Sequence, residues 1–73
     1  MEEYIGAIKL FAGDYDPANY MSCDGSTLQT KDHPALAAVL GGYDETEFQL
    51  PDLPAPAGTR YIICIDGLFP PRK

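Results

Sequence analysis

Tyr61-Ile62-Ile63-Cys64-Ile65-Asp66-Gly67-Leu68-Phe69-Pro70 carries the densest strand signal in this chain. Ile62, Ile63 and Ile65 place apolar, largely β-branched side chains on both faces of an extended segment, the pattern of a strand covered on two sides. Such a strand belongs in the middle of a sheet. Gly67, Pro70 and Pro71 stop it, so Leu68 and Phe69 must either fold back over an apolar surface or meet another subunit. The natural partner of Tyr61–Asp66 is the other long apolar run, Tyr4–Phe11. There Tyr4, Ile8 and Leu10 share one face, Ile5, Ala7 and Phe11 the other, and Lys9 is the only charge. This also reads as a strand covered on both sides.

Between these two runs the chain is punctuated closely. Gly13, Asp14, Asp16, Pro17 and Asn19 make Ala12–Asn19 a loop, and Tyr20–Cys23 is a short strand stopped by Asp24-Gly25, a pair that tolerates positive φ and bends the chain tightly. Asp32 is placed to cap a helix that Pro34 can open, since proline's missing donor costs nothing in the first turn. Leu36, Val39 and Leu40 form its apolar stripe, and Gly41-Gly42 ends it with a left-handed cap. Phe48–Leu53 reads as a further short strand closed by Pro51, and Pro54, Pro56 and Gly58 stiffen the connector before the last strand. The expected fold class is α+β: a small, mostly β domain with one short helix, spanning residues 1–73 as a single unit.

The chain has 73 residues, 45% of them hydrophobic, with five Tyr and three Phe, which is the composition of a folded domain. A core built from so short a chain seldom contributes more than about 3–5 kcal/mol, and disulfides, metal or a partner subunit usually supplement it. Eleven acidic against five basic residues give a formal charge of −6, and the only basic pair is Arg72-Lys73. Nucleic-acid binding draws on clustered Lys and Arg, so a polyanion partner is not expected. No apolar run approaches the length that spans a bilayer, and no basic segment with a signal core opens the chain, so synthesis in the cytoplasm is expected.

Catalytic and metal signatures are equally thin. His33 is the only histidine, and it reads as a solvent-facing residue at the helix start. Asp14 and Asp16 lack the oxygen ladder and fixed glycine of a calcium loop. No P-loop, GxGxxG or HExxH pattern occurs. We therefore expect no enzyme activity, cofactor, metal or small-molecule substrate. Cys23 and Cys64 are too far apart for a CxxC pair and read first as small buried apolar residues. Each lies on an expected strand, so a disulfide across a sheet is the second reading.

The blocks IGAIKLFAG, Tyr20–Gly25 with its Cys-Asp-Gly turn, the short helix ending in Leu40-Gly41-Gly42, F-x-LPDL from Phe48 to Leu53, and Tyr61–Pro70 follow one another in an order that resembles the phage tail collar domain family. That family also includes small free-standing proteins described as microcystin-dependent. The chain departs from its pattern at Tyr20, where Trp is usual, at Asn19, where Gly is usual, and in the short Pro54–Arg60 connector. The resemblance implies a structural or attachment module of a bacteriophage tail or tail-like particle. It also implies location in the virion tail, a homo-oligomer that is usually trimeric, and other tail proteins as partners. A free-standing cellular adaptor or inhibitor with the same fold is the alternative.

Phe11, Phe48, Leu53, Leu68 and Phe69 are the apolar residues hardest to hide with so few elements. Two roles are open to them, contact between subunits or filling of the protomer core. Asp44, Glu45 and Glu47 form a small acidic cluster that suits a basic partner. Asp24, Gly25, Pro51 and Asp52 are expected to fix turns, the carboxylates by accepting backbone amides at a bend.

Overall fold

A computed structural model describes residues 3–42 and 44–71. Met1-Glu2 and the basic pair Arg72-Lys73 lie outside them. Five strands and one helix follow in the order β1 (Ile8–Phe11), β2 (Tyr20–Ser22), β3 (Thr27–Gln29), α1 (Pro34–Leu40), β4 (Glu47–Gln49) and β5 (Arg60–Cys64). β5 is the centre of a three-stranded antiparallel sheet of order β1-β5-β2, and β3 pairs with β4 in a separate two-stranded sheet. The mostly β, α+β architecture and the central position of the last strand are thus as the apolar runs imply.

The register explains the burial of β5. Ile8 pairs with Ile63 and Met21 with Ile63, which places these three on one face, while Lys9 and Ser22 pair with Ile62 on the other. On the first face α1 supplies the cover. Leu36, Ala37 and Ile63 are all fully buried there, in a core completed by Ile5, Cys23, Phe48 and Leu50. On the second face the loop after β1 returns. Asp16 accepts from Ser22 Oγ and lies 3.4 Å from an Arg60 guanidinium nitrogen, while Tyr15 stands edge-on to Phe11 at 5.6 Å. Ile62 and Cys64 are buried on that side. The period of two also puts Cys23 and Cys64 on opposite faces, and both are free thiols. Burial, and after it the Asp24 carboxylate, pushes the Cys23 thiol above its ordinary pKa, so it stays a protonated packing group.

Four expectations need correction. The first strand does not extend over Tyr4–Phe11. Tyr4–Ala7 is a turn closed by Ala7 N–H donating to Tyr4 C=O, and Gly6 at φ 93 then begins a bulge in which Gly6 N–H and Ala7 C=O both bond Cys64. β1 is also an edge strand, so Ile8 and Leu10 are exposed rather than covered. Asp32 does not cap α1. The N-cap is His33 without a side-chain bond, because the turn through Thr30–His33 starts the helix one residue later and leaves Asp32 ahead of the cap position. In the helix, Leu36 and Ala37 are buried while Leu40 is exposed, since seven residues carry the last apolar position past the sheet. Finally, the strand expected over Phe48–Leu53 is regular only over Glu47–Gln49, and its partner β3 was not foreseen. The glycine cap is as expected: Gly41 at φ 85 donates to Ala38 and Gly42 to Ala37, the Schellman arrangement.

Candidate functional site

The two polar turn blocks meet. Leu53 N–H donates to Cys23 C=O at 3.1 Å, Gly25 N–H to Pro51 C=O at 3.3 Å, and Leu50 N–H to Ser26 C=O at 2.8 Å. Asp24 and Asp52 face one another as an antiparallel bridge. With β3 and β4 directly beyond, Cys23–Gln29 and Glu47–Leu53 form one laced ribbon. Pro51 has no N–H to return to Gly25, and the vacancy on the Gly25 carbonyl is filled by Gln49 Nε2 at 3.2 Å. Asp24 works locally, accepting Ser26 N–H at 3.0 Å and the Ser26 hydroxyl. These bonds hold its carboxyl below the usual carboxylate range.

Gly25 has φ 81, and a Cβ placed there would stand 3.4 Å from Asp52 Cβ. The space is ordinary and the backbone conformation is not. Gly25→Ala is therefore expected to cost about 1–2 kcal/mol, the penalty of a left-handed backbone with a Cβ. A urea midpoint unchanged from the parent protein would show that the bend is not held at positive φ.

The apolar candidates separate into two groups. Phe48 is 8% exposed and packs in the protomer core, because Leu28↔Phe48 pairing turns both inward, so it is withdrawn from the contact set. Phe11 is half-buried against Tyr15. Leu53, Leu68 and Phe69 are exposed, the last two at 48% and 54%. Leu68 is joined by a parallel bridge to Tyr4, itself 50% exposed, through Ile5 N–H to Leu68 C=O at 2.8 Å and Leu68 N–H to Glu3 C=O at 2.9 Å. Tyr4 and Leu68 therefore lie side by side where the first and last described segments cross, and exposed Phe69 follows directly in the chain. In the sequence Tyr4 does not stand out as a surface residue, because its alternation with Ile8 suggests a continuous strand. The signal against it was Gly6, which permits the bulge.

The acidic residues Asp44, Glu45 and Glu47 are all exposed, on the connection from α1 into β4. Glu45 N–H closes a turn to Gly42 C=O, and Glu47 accepts from Gln29 Nε2 at 3.2 Å across the β3–β4 pair. Among the described residues no group of three His, Cys, Asp or Glu is placed to hold a metal ion. What the geometry presents is surface: an apolar junction, an acidic loop and a sheet edge.

Comparison with known proteins gives the family. A family model described as Phage Tail Collar Domain matches residues 6–57, from the bulge glycine through the whole laced ribbon to the connector before β5. No curated protein and no solved structure matches the chain. The matched span covers most of the 73 residues and contains both turn blocks whose pairing builds the ribbon. The chain belongs to the phage tail collar domain family, a structural family of phage tails.

Proposed function

We propose that this protein is a structural and attachment module of a phage tail or tail-like particle, working by self-association into a trimer and by binding other tail proteins. The observation that carries this reading is the apolar junction where Tyr4 and Leu68 are joined by backbone bonds and Phe69 follows in the chain, three large side chains each about half exposed. A main chain anchored in this way has little backbone freedom left to lose when covered, and aromatic residues dominate the centres of interfaces. The core of the protomer is small, nine buried hydrophobic residues among those described, so burial between copies adds stability that one chain lacks. Leu53 lies on the ribbon, outside this junction, and serves as a secondary contact to other tail proteins. The exposed acidic loop keeps an otherwise adhesive particle soluble. The reading calls for no catalysis.

The paired substitution Leu68→Glu and Phe69→Glu tests it. Both side chains are exposed, so the protomer should keep its circular dichroism spectrum while the assembly falls to monomers in sedimentation equilibrium. An assembly of unchanged mass would remove this surface from the contact.

A further inference from the structure

The two edges of the three-stranded sheet are finished differently. Antiparallel strands alternate between residues whose N–H and C=O turn toward the neighbour and residues whose groups turn away. Cys64 N–H donates to Ala7 C=O at 2.9 Å, which makes Ala7, Lys9 and Phe11 the residues bonded to β5 and turns the N–H and C=O of Ile8 and Leu10 outward. On the far edge, the bonds from Cys23 N–H to Tyr61 C=O and from Ile65 N–H to Asn19 C=O turn Tyr20 and Ser22 outward in the same way. There the chain bonds two of the four outward groups itself. Tyr20 N–H donates to Pro17 C=O and Ser22 C=O accepts Asp24 N–H, both at 3.0 Å. Among the described residues no such bond reaches the outward groups of Ile8 or Leu10.

Edges are ordinarily protected by charge, proline or a bulge. Within β1 the only charge is Lys9, whose side chain stands on the face opposite Ile8 and Leu10, 3.3 Å from Glu3 and 5.0 Å from the centre of the Tyr20 ring. Tyr20, and after it Glu3, hold the ammonium above its ordinary pKa, so it is charged throughout the neutral range. The bulge at Gly6 limits the open edge at its start but leaves Ile8 and Leu10 free. These two therefore combine exposed apolar side chains with unpaired backbone groups.

A second copy of the chain fits this edge poorly. The antiparallel register that satisfies all four outward groups sets Ile8 against Leu10 and places Lys9 directly opposite Lys9, an unfavourable like-charge pair, between chains of formal charge −6. A head-to-tail pairing with the far edge would meet only Tyr20 C=O and Ser22 N–H, since Tyr20 N–H and Ser22 C=O are already bonded to Pro17 and Asp24. We propose that the β1 edge is a strand-addition site for an extended segment of a different protein, with apolar side chains beside Ile8 and Leu10 and a carboxylate facing Lys9. Backbone bonds to Ile8 and Leu10 would supply the affinity and the apolar–acidic–apolar triplet the selectivity. This site does not depend on the junction of Tyr4, Leu68 and Phe69.

The probe is a blocked synthetic peptide, threonine-valine-glutamate-valine-threonine, added at millimolar concentration to nitrogen-15-labelled protein. The expected result is saturable amide shifts centred on Ile8–Leu10 and slowed hydrogen exchange at those two amides. Replacing the peptide's glutamate by lysine should weaken binding about threefold to tenfold, the range of opposite against like cross-strand charges. Leu10→Pro removes an outward N–H without taking a bond from β5, and should abolish the shifts while leaving the assembly mass unchanged. Should Leu10→Pro fail to fold, Lys9→Glu must reverse the preference between the two peptides. Absence of saturable shifts, binding that survives Leu10→Pro, an unchanged preference in Lys9→Glu, or concentration-dependent protection of Ile8 and Leu10 in the protein alone would each overturn the proposal. The last of these would identify a second copy as the occupant.

Discussion

Ile63→Ala is expected to remove about 2–5 kcal/mol of stability, the cost of emptying a buried aliphatic site that its neighbours cannot refill. Ile63 is fully buried on the central strand, its face shared with Ile8 and Met21 and covered by Leu36 and Ala37 of the helix. Whole domains are stable by only about 0.05–0.15 kcal/mol per residue, so a single truncation here takes much of what the protomer holds. The urea midpoint should fall with little change in slope, and the variant should be partly unfolded at 37 °C when dilute. A loss below about 1 kcal/mol would mean that the helix and sheet do not close on this residue, since only a collapsible site gives so small a value.

The second large effect is expected at Gly67. A Cβ there would lie 2.3 Å from the Glu3 carbonyl oxygen and 3.2 Å from Cys64 Sγ, and the nearer group is backbone that cannot rotate away. Its φ lies outside the left-handed region, so the penalty is purely one of space. Gly67→Ala should force apart the segments that Leu68 ties to Glu3 and Ile5, at about 1–3 kcal/mol for the overpacking. Two readouts should move together. The Ile5 and Leu68 amides should exchange faster, and the assembly should weaken, because the same crossing presents Tyr4, Leu68 and Phe69. Unchanged exchange at Ile5 and Leu68 would show that the crossing does not exist in solution.

These two sites differ in how readily they could be foreseen. The central role of β5 is legible because Ile62, Ile63 and Ile65 leave no polar face, and only a strand with two neighbours and two covers can satisfy them. Gly41 and Pro34 bracket the helix for equally local reasons. β3 was hidden because Thr27-Leu28-Gln29 offers one apolar side chain in three residues, and its pairing with β4 is a long-range fact that no window contains. The same holds for the meeting of Asp24-Gly25 with Pro51-Asp52: each block announces a turn, but neither says that the two turns are laced together. Asp32 fails as a cap because the turn through Thr30–His33 starts the helix one residue later, with His33 in the cap position. Of the proposed contact residues, Leu68 and Phe69 are visible in the sequence as apolar side chains beyond a strand end. Phe48 was indistinguishable from them until the β3–β4 register turned it inward, and Tyr4 until Gly6 broke the first strand.

One difference between the strands bears on function. β5 is closed on both sides by pairing and on both faces by packing, so it can serve only as a frame. β1 and the Tyr4–Leu68 crossing are among the places where the frame leaves apolar and backbone groups unspent. A structural protein works through such remainders, because what is left unsatisfied in one copy is available to its neighbours.

Sedimentation equilibrium of the unmodified chain at micromolar concentration tests this most directly. A trimer, with three times the 8.0 kDa protomer mass and a dissociation that raises urea sensitivity on dilution, is the predicted result. A species of 8.0 kDa at every concentration, with stability independent of dilution, would contradict it.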